Sequence, residues 1–311
     1  MKIDIDFSDL SDLCPGQPRD KLQAAAERFT LHGVVGSENA VFDAAYGALY
    51  SYFGPLGEIE RRAVHEALAD APRYERPPYR MHYHLTLARD EHGAVAGARD
   101  CTAALCEETR TCVVYMAHAL VLPPYRRSGL AGLFRQIPAQ FGRALIRDAG
   151  LDPAEVDLVL ALEQEPVDPA NHDSVVRLCA YAKGGFSVID PAAMRYCQPD
   201  FRDLPALGVP PSPIPLLAVM RWVGHEGEAD IPARLAEAYA THLYDGIHAS
   251  HCRPQDIAPI RRFALDTLTA SGLARVPLLS LPAHPDDAAA LAPLGRDRVL
   301  PLFAALFEAT S

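Results

Sequence analysis

The segment Arg126-Arg127-Ser128-Gly129-Leu130-Ala131-Gly132 concentrates two guanidinium groups, a hydroxyl and two glycines in one short stretch, a set of groups suited to an anion. It follows an apolar run, Val113 to Leu122, with the composition of a strand. Pro123-Pro124 then ends that run, because proline donates no ladder hydrogen bond. From Leu130 onward, Leu133, Phe134, Ile137, Phe141 and Leu145 recur at helical spacing. The loop therefore opens a helix, whose first N–H groups lack intrahelical partners and carry partial positive charge. Gly129 and Ala131 leave room for a ligand to approach the backbone, so one reading is a phosphate-binding turn. The other is an ordinary strand-to-helix turn with its arginines in solvent.

A second segment bears on that choice. Val156 to Leu162 reads as a buried strand, and Asp173 to Lys183 as a helix ending at Gly184-Gly185-Phe186. Arg126-x-x-Gly129-x-Ala131 is similar to the R/Q-x-x-G-x-G/A signature of the GNAT superfamily of N-acetyltransferases, with Pro123 and Tyr125 also at familiar places. The order strand, loop, helix, strand, helix, Gly-Phe, strand resembles the central block of that family. Tyr181 stands four residues before Gly185, at the family's usual tyrosine position. The resemblance spans roughly residues 37 to 223 by order of elements, with motif matches at 121 to 132 and 174 to 186.

The resemblance implies an α+β fold with a mixed, mostly antiparallel central sheet flanked by helices, and acetyl-CoA as cosubstrate. Backbone groups of Leu120, Val121 and Leu122 would pair with the pantetheine arm. The amides of Arg127, Ser128, Gly129, Leu130, Ala131 and Gly132 would take the pyrophosphate, helped by the charge of Arg126 and Arg127. Tyr181 would protonate the departing thiolate. Ser174 falls where many relatives carry an asparagine facing the cofactor. Transfer would be direct, from donor to a primary amine in one ternary complex. A non-catalytic acyl-CoA-binding module, an enzyme using a longer acyl donor and an unrelated α/β protein remain open alternatives.

An amine acceptor must lose a proton, usually to a carboxylate or histidine. Glu163 and Glu165 end the strand that begins at Val156 and share one side of it by period-two alternation; Glu163 is the expected base, and solvated strand-end charges are the alternative. His118 falls on the opposite face from Tyr115 and Ala117 by the same parity and ranks lower. His82 and His84 share a strand face without an assured third ligand, and His248, His251 and Cys252 lack zinc spacing, so no metal is expected.

These groups need a sizeable scaffold, and 311 residues, 49% apolar and 22% charged, can supply one. Seven cysteines without a C-x-x-C pair argue against a disulfide framework or zinc ribbon. A net charge of −11 disfavours a nucleic-acid surface and would mildly attract a cationic amine. With no apolar run of signal or membrane length, a cytoplasmic location without a membrane partner is expected. The acceptor is expected to be a small-molecule amine or a peptide or protein lysine, and the protein a monomer or homodimer. Helices are expected over Pro18 to Phe29 and, broken at Gly54-Pro55, over Glu38 to Ala69. Strands follow at Tyr79 to Ala88 and Ala94 to Leu105, then Ser187 to Ile189, Arg195 to Phe201 and Leu216 to Val223. The sheet is expected to finish there. The chain is thus divided into an N-terminal strand and helix (1–36), an acyl-CoA-binding core (37–225) and a helical extension (226–311).

Overall fold

The computed structural model describes residues 1–3, 19–168, 170–202, 208 and 211–308. Cys14, Pro18, the alternating stretch beyond Ile3 and much of the link 205–215 lie outside the described residues. The fold is α+β, with mostly antiparallel pairing. Two compact units divide it: Met1–Leu160 with Phe201–Asp203, and Ala161–Asp200 with Leu204–Ser311. This division follows packing and falls inside a strand, whereas the sequence-based division at 36 and 225 follows composition.

In the first unit the strands run β1 (Lys2–Ile3), β2 (Thr30–Gly33), β4 (Tyr79–Arg89), β5 (Val95–Cys106) and β6 (Thr111–Tyr115), each antiparallel to the next. β3 (Arg73–Arg76) pairs with β4, and β7 (Ala119–Val121) with β5. Alternation decides the layers. Tyr83, Leu85 and Leu87 of β4 pack with Phe42, Tyr46 and Leu49 of helix α2 (Ala40–Phe53), while Ala88 and Ala96 meet Leu130, Leu133 and Ile137 of helix α4 (Leu130–Asp148). Helix α1 (Arg19–Arg28) adds Leu22 and Ala25 to the second layer. Helix α3 (Arg62–Asp70) follows the interruption at Gly54-Pro55, as the sequence predicts. Pro138 lies inside α4 and cannot bond the carbonyl of Phe134 four residues earlier. The buried guanidinium of Arg99 on β5 donates to that carbonyl at 2.8 Å.

The run Val113 to Leu122 is not the continuous strand that its composition suggests. It breaks between β6 and β7, at Met116 to His118. The cause is Asp100 on β5, whose Oδ1 accepts the His118 N–H at 2.8 Å while its own N–H donates to the His118 carbonyl at 3.1 Å. His118 therefore sits in the break, and strand parity does not decide which way it points.

In the second unit the order is β8 (Asp157–Gln164, which begins in the first unit), β11 (Ile214–Trp222), β9 (Ser187–Ile189), β13 (Arg275–Ser280) and β12 (Asp230–Pro232), with β10 (Tyr196–Gln198) on β11. Helix α5 is His172–Ala182. The C-terminal tract is helical over Ala233–Thr241 and Pro254–Ser271. It is not wholly helical, however, and the sheet does not finish at Val223, because β12 and β13 continue it. Pro277 within β13 hides the strand from a sequence reading, since it lacks the donor a ladder uses. Its carbonyl still accepts from the Asp190 N–H at 3.0 Å.

Candidate functional site

The loop that opens α4 is held from two sides. The Tyr125 hydroxyl donates to Asp90 Oδ2 at 2.7 Å, tying it to the β4–β5 turn, and the Tyr125 ring meets Phe29 edge-on at 5.9 Å. Gly129 is the N-cap residue with φ of +90°, a conformation other residues adopt only under strain. A Cβ there would lie 2.8 Å from the Ala25 Cβ and 3.3 Å from the Lys21 carbonyl oxygen. Close packing of α1, not only room for a ligand, requires this glycine.

The amide N–H groups divide. Arg126 donates to Pro123, and Gly132 donates to Gly129 at 2.8 Å, so the Gly132 amide is already engaged within the first turn of the helix. The N–H groups of Arg127, Ser128, Gly129, Leu130 and Ala131 make no hydrogen bond among the described residues. Both arginines are exposed. Just before the loop, β7 pairs with β5 and with no other described strand, leaving the far edge of Ala119 to Val121 without a strand partner.

Glu163, Ser174 and Tyr181 belong to the second unit. The Ser174 hydroxyl is buried and donates to the Asn171 carbonyl at 2.8 Å. Asn171 occupies the N-cap position of α5 without a side-chain capping bond. Tyr181 lies in the last turn of α5, its carbonyl accepting from Gly184 and Phe186 and its ring edge-on to Phe186 at 5.3 Å. Glu163 is enclosed, with 4% of its side chain exposed. Its carboxylate accepts from the Tyr196 hydroxyl and from Gln198 Nε2 at 2.9 Å, and lies 3.4 Å from His248 Nε2. Tyr196 in turn meets His248 Nε2 at 3.0 Å. The neighbouring Tyr244 lies in a π-helical stretch, His242–Ile247, and donates to the Cys197 carbonyl at 2.7 Å.

A second polar cluster is buried in the first unit. His118 Nδ1 faces Asp100 Oδ1 at 3.0 Å, and its Nε2 faces the Glu58 carbonyl at 2.8 Å. Both ring nitrogens thus meet acceptors, which only the doubly protonated ring satisfies. Burial pulls the imidazole down, but the Asp100 carboxylate, together with Glu60 and the Glu58 carbonyl, lifts it to about 9. His65 completes the cluster, 2.9 Å from the Tyr83 hydroxyl and 3.4 Å from Glu60. No motif or spacing in the sequence marks Asp100, Glu60 or His65. The available signal was the charged pair Arg99-Asp100 within the otherwise apolar strand β5.

The His82 and His84 rings lie 3.8 Å apart, tilted by 40°, and burial drives both toward the neutral form, His82 to about 4. Among the described residues no group of three or more His, Cys, Asp or Glu could hold a metal ion, and no helix is long and apolar enough to cross a membrane.

No protein-family model matches the chain, and no curated protein does. Solved structures to which it is similar include several N-acetyltransferases. One is an acetyltransferase of the GNAT family from Staphylococcus aureus, at 11% identity and a TM-score of 0.35 over 62% of this chain and 98% of that one. Another is the spermidine/spermine N-acetyltransferase SpeG of Vibrio cholerae, at 12% identity and 0.33 over 63% and 93%. A third, an aminoglycoside acetyltransferase from an uncultured soil metagenomic sample, matches at 10% identity and 0.34 over 49% and 85%.

Proposed function

We propose that this protein is an acyl-CoA-dependent N-acyltransferase that moves an acetyl group from acetyl-CoA to a primary amine of a small molecule or a lysine side chain. The observation that carries the reading is the run of five unbonded amides, Arg127 to Ala131, at the start of a 19-residue helix and beside two exposed arginines. Such a set of donors suits a diphosphate, by hydrogen bonding and by charge. The unpaired edge of β7 would accept the amides of an extended pantetheine arm as a strand accepts its neighbour, through Val121; of the other two residues expected there, Leu120 faces β5 by ladder alternation and the Leu122 N–H and carbonyl are already bonded to Ala96 and Tyr125.

The thioester is already activated, so the chain's residues mainly hold donor and acceptor at attack distance and move protons. Tyr181 is assigned the general acid that protonates the leaving sulfur, and Glu163 the acceptor of the amine's proton. Release of free thiol from acetyl-CoA with a panel of amines tests the reading. Tyr181→Phe should keep acetyl-CoA affinity within about twofold and lower turnover by about 10²-fold or more. Unchanged turnover would remove Tyr181 from the chemistry.

One observation favours a second reading, a module that binds acyl-CoA without turning it over. The Glu163 oxygens already meet Tyr196, Gln198 and His248, and its side chain is 4% exposed, which disfavours direct transfer of an amine's proton to it. Tight coenzyme binding without thiol release on any amine would support that reading.

A further inference from the structure

Arg99 lies on β5 with 2% of its surface exposed. Its Nη1 donates to the Phe134 carbonyl of α4, and its Nε and Nη2 have no hydrogen-bond partner among the described residues. Among those residues it forms no ion pair either. Asp100 is next in sequence, but strand alternation turns it to the other face, where it holds His118. The Cys101 thiol interacts with Arg99, yet burial pushes that thiol up to about 12, so it stays neutral. A buried guanidinium without a counterion is costly, which raises the question of what anion uses it.

Arg99 joins the two elements to which the proposed function assigns the donor. In the sheet register it stands opposite Ala119 of β7, and through Phe134 it meets α4 one turn, about 6 Å of rise, past Leu130. The layers are close here. A Cβ at Gly97 would collide with the Leu120 carbonyl oxygen and lie 3.1 Å from the Phe134 ring, so glycine lets both β7 and α4 approach β5. Pro138 leaves the Phe134 carbonyl without its helical donor, and the group that replaces the donor is a cation. Any residue with an N–H at position 138 would have satisfied that carbonyl without burying a charge.

We propose that Arg99 is a positioning residue for the coenzyme phosphates, a buried cation that adds its field to the amides of Arg127 to Ala131 without touching the ligand. This role rests on the coenzyme reading of that loop. A guanidinium stays charged at every accessible pH, and in the interior it is screened far less than Arg126 and Arg127, which are exposed. At a separation on the order of 10 Å and an effective dielectric of about 20, its attraction for one phosphate charge is worth about tenfold in affinity.

Calorimetric titration of the full chain with coenzyme A and, separately, with pantetheine, the same thiol arm without phosphates, tests this. Arg99→Met keeps the apolar stem and removes the charge. It should weaken coenzyme A by about tenfold and leave pantetheine within about twofold. Arg99→Met with Pro138→Ala returns a helical donor to the Phe134 carbonyl, so it should regain the thermal midpoint lost in the single variant but not the coenzyme A affinity. The double variant also carries the comparison if the single one does not fold. Undiminished coenzyme A affinity in either folded variant, or an equal loss for both ligands, would overturn the proposal. A parent protein that binds no coenzyme A would remove the coenzyme reading and this role with it. Parent binding beside an unaffected Arg99→Met would remove the role of Arg99 alone.

Discussion

The two buried polar clusters use the same residue types in opposite ways. In the first unit His118 faces two acceptors, the Asp100 carboxylate and the Glu58 carbonyl, and the ring is held as a cation. In the second, the Glu163 carboxylate faces the Tyr196 hydroxyl and the Gln198 amide, both neutral donors, with His248 close by. Burial is severe in both places, so the lesson concerns charge. A cluster built around a fixed cation depends on its counterion, whereas one built around neutral donors depends on each hydrogen bond separately.

That contrast can be broken by substitution. Asp100→Asn should cost about 3–5 kcal/mol in urea denaturation, the usual loss when one partner of a buried ion pair is removed. Stability should also depend on pH through His118. His118 has a folded value of about 9, above its ordinary 6.5, so its contribution is complete below pH 6.5 and disappears as pH rises through 9. The parent protein should lose on the order of 3 kcal/mol across that window, and Asp100→Asn should lose much less. A parent as stable at pH 9.5 as at pH 6 would contradict the buried cation. Tyr196→Phe should have the smaller effect, about 1–3 kcal/mol, because it removes one donor to Glu163 and leaves the Gln198 contact in place. A loss equal to that of Asp100→Asn would erase the distinction.

Much of the scaffold was legible in the sequence because it rests on local periodicity. The helical spacing from Leu130 to Leu145, the alternation in β4 and the break at Gly54-Pro55 all appear as elements. What stayed hidden depends on partners distant in sequence. The interruption before β7 is imposed by Asp100, eighteen residues upstream of His118. Pro277 masks β13, whose place in the sheet comes from pairing with Ile189, Val188 and Ser187. The loop motif was visible, but not that Ala25 fills the space beside Gly129.

The proposed function depends on the amides of Arg127 to Ala131 holding the phosphates of a coenzyme A thioester. Gly129→Glu would weaken binding on that account, yet it would also collide with α1, so the parent protein gives the cleaner test. Coenzyme A and pantetheine, which shares the thiol arm and lacks the phosphates, should be titrated into it side by side. Coenzyme A should bind more tightly by at least about 10²-fold, as several charge-assisted hydrogen bonds require. Equal affinities, or no binding of coenzyme A, would contradict it.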